Sequence, residues 1–224
     1  MNYSMVKRLI LKDWYLQRMA IVASVLGGIG ALGVVCIGGQ AAFMIGLVLL
    51  ITALIAVGAH LAIATMVNER KEQTLSFVMS LPISHAEYTL AKLLGTLVIF
   101  MFPYLVLVLG SAALFAIPHG IPHGLLPVTT IMAVEILFNT CLMIAVALVT
   151  ESQGWTVAAI IVGNISINIV GYFVAHLPDI ERGMQSSSLM WSPTASIALL
   201  VEFALIALML CLTFFLQSRK RDFV

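Results

Sequence analysis

Glu135 and Glu202 each interrupt a long run of apolar residues. An acid near the middle of such a run costs ~2.5–3.5 kcal/mol or more if the run crosses a membrane, unless it is paired, protonated or wet. No lysine or arginine lies in any of the apolar runs to pair with either acid. The chemistry open to them is protonation, hydrogen bonding to amides or hydroxyls, or contact with an aqueous pathway. Asn139 follows Glu135 by one helical turn, and Asn164 and Asn168 share a face of the next run. Such amides either glue helices together or line a route for a substrate. Glu135, Asn139, Asn164, Asn168 and Glu202 are therefore the candidate pathway residues.

Other reactive types are present without a site around them. His60 is a lone histidine in an apolar run, the pattern of a helix-packing donor. Cys36, Cys141 and Cys211 stand apart in apolar runs, without metal-ligand spacing, and read as small apolar filler. Ile117-Pro118-His119-Gly120 is repeated as Ile121-Pro122-His123-Gly124. The prolines prevent a regular helix, so a turn-rich loop is the better reading than a metal site with His176, Asp179 and Glu181. Gly28-Ile29-Gly30-Ala31-Leu32-Gly33 matches a dinucleotide fingerprint but lacks the strand that must precede it. Its small residues suit close helix packing, as do the four-residue series Ala20, Ser24, Gly28 and Ala23, Gly27, Ala31. No phosphate-binding G-x-x-x-x-G-K-[ST] surrounds any lysine. No aspartate lies in an apolar run, which argues against an intramembrane aspartyl protease or a metal-dependent lipid transferase. No catalytic residue and no metal ligand is assigned.

The elements that must position these residues follow from composition. The chain has 224 residues, 62% hydrophobic and only 9% charged. A soluble domain carries roughly 25% charged residues. Six runs reach the ~20 residues needed to cross a hydrocarbon core: about 20–39, 43–67, 93–117, 128–149, 155–177 and 196–216. They are continuous rather than alternating, which excludes a β-barrel. The reading is an all-α integral membrane protein with six transmembrane helices, residues 20–217 forming the membrane domain. An 18-residue segment containing Asp13 precedes the first run, so that run reads as an uncleaved span rather than a signal peptide. Glu135 and Glu202 then lie at similar depth, ~10–12 Å below the outer boundary at 1.5 Å per residue.

Orientation follows from Lys and Arg. Lys7, Arg8, Lys12 and Arg18 precede span one. Arg70, Lys71 and Lys92 lie between spans two and three, and Arg219, Lys220 and Arg221 follow span six. These are ten of the eleven basic residues, and Arg182 alone falls on the other side. Both termini, the loop 68–92 and the basic tail 218–224 are expected in the cytoplasm, with the longest outer loop at 178–195. In residues 1–19, Val6, Leu9, Ile10 and Trp14 fall near one helical face, so an amphipathic helix lying on the membrane surface is expected.

The loop 68–92 is the most informative segment. Glu69 to Ser80 can form a short amphipathic helix with an apolar stripe of Leu75, Val78 and Met79. Pro82 then redirects the chain. Ser84-x-x-Glu87 has the form of a capping box that opens the next helix. A short polar-faced helix held between two spans suits docking into a groove on a soluble partner.

This segment resembles the cytoplasmic loop of ABC-2 type exporter permeases. In that family an acidic–basic stretch runs into Thr-Leu, an apolar helix, Leu-Pro-Ile/Val-Ser, an acid and a lysine before the next span. The counterparts here are Glu69-Arg70-Lys71-Glu72, Thr74-Leu75, Leu81-Pro82-Ile83-Ser84, Glu87 and Lys92. Gln73 stands where the family often has Gly. Leu11-Lys12-Asp13-Trp14 is also similar to the entry helix of small members. The resemblance implies a permease subunit of the cytoplasmic (inner) membrane, itself no enzyme. It would carry no cofactor of its own, ATP and Mg being held by a separate ATP-binding subunit, usually in two copies. It implies a coupling helix over Glu69–Leu81, with Glu69, Arg70, Glu72, Thr74, Leu75, Leu81 and Pro82 as the ATPase-coupling residues. The N-terminal helix would also touch the ATPase, and the region 178–195 would form short re-entrant helices. The subunit would work as a homodimer or as a heterodimer with a related permease, in contact with lipid and not with nucleic acid. The expected cargo is hydrophobic or amphipathic: a drug, peptide or lipid. The alternative is a non-transporting immunity or sensor protein that binds a toxin or partner.

Overall fold

The computed structural model describes residues 3–68, 85–116, 122–184, 186, 188 and 190–219. The described residues are helical with short connections and no strand. Helix α1 is Tyr3–Cys36 and α2 is Gln40–Ala62, which continues through a π-helical turn at Ile63–Val67. Helix α3 is His85–Phe115, α4 Leu126–Thr150, α5 Gln153–Ala175, α6 Pro178–Met184 and α7 Pro193–Arg219. All but α6 are long and apolar enough to cross a membrane, so six candidate spans are present.

Local chemistry sets the boundaries. The turn between α1 and α2 needs φ of +86° at Gly38 and +85° at Gly39, a region that glycine enters without steric cost. That tight turn folds α2 back against α1. Pro127 lies in the first turn of α4, where its missing N–H costs nothing. Helix α4 ends where Glu151 adopts a left-handed conformation, φ 53°, and Ser152 leads directly into α5.

Helix α4 is the hub, packed against α2, α3, α5 and α7. It is the most buried of the six spans. Large apolar side chains face outward along α1, α5 and α7, as expected of surfaces that meet lipid. Single polar ties join the helices at several levels. His60 Nε2 lies 2.9 Å from Gln17 Oε1, joining α2 to α1, in agreement with a packing role for this histidine. Thr65 and Thr96 share a buried hydrogen bond of 3.1 Å between α2 and α3. The Tyr104 hydroxyl donates to the Ala133 carbonyl at 2.9 Å, joining α3 to α4.

The surface helix expected over residues 1–19 is not set apart from span one. Residues 3–36 form one continuous helix, ~51 Å long at 1.5 Å per residue, with no interruption before span one. Two residues of its apolar stripe meet α3: Ile10 lies against Gly95, and Trp14 meets Phe102 edge-on at 5.6 Å. The physical reason is that no glycine or proline breaks the helix before Gly27, and the apolar face finds a protein partner. Of the two small-residue series, Gly28 packs beneath Leu107 of α3, and Ala31 is buried beside Gly46 of α2. A Cβ on Gly27 would meet nothing within 4 Å. The coupling segment, including Glu69, Arg70, Glu72, Thr74, Leu75, Leu81 and Pro82, lies outside the described residues.

Candidate functional site

Helix periodicity brings Asn139 back beneath Glu135 on α4. Asn139 Nδ2 donates to Glu135 Oε1 at 2.8 Å and also approaches the Glu135 carbonyl at 3.0 Å. Ser166 Oγ of α5 donates to the same Oε1 at 2.8 Å. One carboxylate oxygen thus gathers two donors and ties α4 to α5. Glu135 and Asn139 are both almost fully buried. Gly163 of α5 makes room for this contact, because a Cβ there would strike Asn139 Oδ1.

Glu202 arrives from α7. It is buried and lies within electrostatic range of Glu135, so two acids from different helices share one apolar interior. Tyr104 of α3 lies within electrostatic range of Glu202. Glu202 Oε2 and Asn139 Oδ1 are buried without a hydrogen-bond partner. Both are acceptors, so the cluster has room for further donors, whether protons on the acids themselves or donor groups of a ligand.

The five candidate residues therefore divide. Glu135 and Asn139 are hydrogen-bonded together, and Glu202 lies within electrostatic range of Glu135. Asn164 and Asn168 turn to their own helix instead. Asn164 Nδ2 donates to the Ile160 carbonyl at 2.9 Å and Asn168 Nδ2 to the Asn164 carbonyl at 2.8 Å. Asn168 lines a separate apolar cavity of about 340 Å³ between α2, α3, α4 and α5.

Sequence reasoning missed Ser166, a hydrogen-bond partner in the cluster, and Tyr104, which stands within electrostatic range of Glu202. Ser166 carried a faint signal, as the hydroxyl residue between Asn164 and Asn168. Tyr104 carried none, since an aromatic in an apolar run reads as packing. It also missed the role of Asp13 and Lys92. Lys92 Nζ donates to Asp13 Oδ2 at 2.8 Å, with both side chains buried. Lys12 Nζ stands 3.4 Å from the other Asp13 oxygen. This ion pair fastens α1 to the foot of α3, at the end of the bundle that holds both termini.

Around the α6 region, Asp179 Oδ2 accepts from Thr194 Oγ1 at 2.8 Å. His176 Nδ1 lies 2.8 Å from the Tyr172 carbonyl, and its ring lies against the Tyr172 ring. Among the described residues, no three His, Cys, Asp or Glu side chains converge on a point that would hold a metal ion.

Fold and cluster together define the class: an all-helical, multi-pass membrane protein with a buried polar core on its central helix. Comparison with protein-family models, with curated proteins and with solved structures gives no match.

Proposed function

We propose that this chain is the membrane-spanning permease subunit of an ABC-2 type exporter of the cytoplasmic membrane. It moves a hydrophobic or amphipathic molecule with energy from ATP hydrolysed on a separate subunit. The observation that carries the reading is the buried Asp13–Lys92 ion pair. It locks together the N-terminal helix and the start of α3, which immediately follows segment 69–84. These are the parts that the resemblance sets against the ATPase. Breaking a buried pair costs ~3–5 kcal/mol, so a push on the coupling segment would move α1 and α3 as one body.

In this mechanism ATP binding draws two ATP-binding subunits together beneath two permeases. The Glu69–Leu81 helices transmit that motion, and the bundle opens alternately to the two sides. The chain itself makes and breaks no covalent bond. Glu135, Asn139 and Glu202 offer acceptors to a passing donor or cation, while apolar walls accommodate the rest of the cargo.

The test is assembly. The tagged chain is co-expressed with the ATP-binding protein encoded beside it and purified through its own tag, and retained ATPase activity is measured. The expected result is a stoichiometric complex whose assembly or coupling is lost when Glu69 and Thr74 are replaced. A chain that purifies alone, with every neighbouring ATPase tried, transfers the weight to an immunity or sensor protein.

A further inference from the structure

The cavity between α2, α3, α4 and α5 lies at the end of the bundle away from the chain termini. Its volume of about 340 Å³ falls in the ~300–1,000 Å³ range of small-molecule sites, which are mostly apolar with a few placed polar groups. Leu54, Ile136 and Ile167 are among its apolar walls, and its polar lining is Ser111, Thr129 and Asn168. No ionisable side chain lines it, and neither Glu135 nor Glu202 borders it.

The three polar residues share one feature. Each spends a donor on its own helix. Ser111 Oγ donates to the Val108 carbonyl at 2.7 Å, and Thr129 Oγ1 to the Leu126 carbonyl at 3.0 Å. Asn168 Nδ2 donates to the Asn164 carbonyl at 2.8 Å. With their only protons committed, the two hydroxyls offer lone pairs alone. Asn168 is itself exposed, and no described residue donates to its Oδ1. The polar lining thus offers several acceptors and a single remaining donor, the second Asn168 N–H. An amide oxygen facing hydrocarbon without a donor is costly. An ion entering this cavity would lose its hydration with no counter-charge to replace it.

We propose that this cavity binds an uncharged, largely apolar molecule that carries one hydrogen-bond donor, of the long-chain alcohol class. Its hydroxyl donates to Asn168 as the principal acceptor, and its chain lies among Leu54, Ile136 and Ile167. The site stands apart from the exporter reading, because binding requires no ATPase.

The probe is a diazirine-bearing decanol, photolysed with the purified full chain in phosphatidylcholine nanodiscs and mapped by mass spectrometry. Adducts are expected within 47–54, 108–111, 128–136 and 167–171. Unlabelled 1-decanol displaces the probe. Decane and decanoate compete at least about tenfold more weakly, the first lacking the hydrogen bond and the second carrying a charge. Asn168→Leu weakens labelling about tenfold, and Ser111→Leu, which narrows the cavity from α3, does the same without touching the amide. Two results overturn the proposal. One is decane or decanoate displacing the probe as well as decanol, which makes the space a void filled by lipid tails or an unselective site. The other is adducts spread evenly over the outward faces of α1 and α7.

Discussion

Lys92 and Asp13 form a buried ion pair of 2.8 Å between residues that lie 79 positions apart in the chain. Lys92 belongs to the foot of α3, where a lysine ordinarily extends its amine into water or toward headgroups. Here it turns inward, and its side chain is 1% exposed. The first helix is thereby fixed at the end of the bundle where the termini lie, and the apolar contacts of Ile10 and Trp14 continue the same seam.

Removing one partner deprives the other of its counter-charge across the helices, although Lys12 stays 3.4 Å from Asp13. Asp13→Leu alone is expected to lower stability by up to ~3–5 kcal/mol, and Lys92→Met alone by less, since Lys12 remains beside Asp13. The double variant should lose clearly less than the sum, because neither buried charge then remains. Unfolding of the four proteins in detergent forms the cycle that checks this. Strict additivity would mean that the two charges act independently.

Glu135 and Glu202 should respond with opposite signs. Glu135→Leu strips the Ser166 hydroxyl and one Asn139 contact of their acceptor, with an expected loss of ~1–3 kcal/mol. Glu202 instead carries a buried oxygen without a partner. Glu202→Met keeps the bulk and removes that oxygen, so a gain of similar size is expected. Thermal unfolding of both variants distinguishes this from a shared structural role, in which both would destabilise. If the acids serve a cationic cargo, Glu135→Gln combined with Glu202→Gln abolishes its export. Unchanged export of every cationic candidate would remove that assignment.

The cysteines report orientation without engineering. Cys36 is exposed at the end of α1, Cys141 is buried in α4 and Cys211 is exposed within the apolar α7. With both termini in the cytoplasm, a membrane-impermeant maleimide applied to intact cells is expected to label Cys36 alone. Cys36→Ser should abolish that signal. Labelling that appears only after permeabilisation would invert the topology inferred from the basic residues.

Much of the fold is legible along the chain. The length and continuity of the apolar runs determine six spanning helices, because backbone groups in a lipid core must bond within their own segment. The glycine pair at 38–39 and Pro127 mark boundaries for local reasons. Placing Asn139 one turn from Glu135 is equally a matter of helical period, and that hydrogen bond is present. The N-terminal helix was legible as an amphipathic element, but its partner was not. Its stripe specifies an apolar neighbour, and α3 meets that need as well as lipid does.

The sequence by itself determined the number of spanning helices, the side chains at similar depth and the lack of any charge in the spans to neutralise the two acids. Tertiary structure alone decided which faces meet. The runs are apolar around most of their circumference, so periodicity carries little information about helix rotation. That rotation gives Ser166 to Glu135 and leaves Asn168 to the cavity. It also brings Glu202 near Glu135 and turns Lys92 inward to Asp13. Each pairing depends on close approach of helices through space, at positions such as Gly28 and Gly163 where a missing side chain makes the approach feasible.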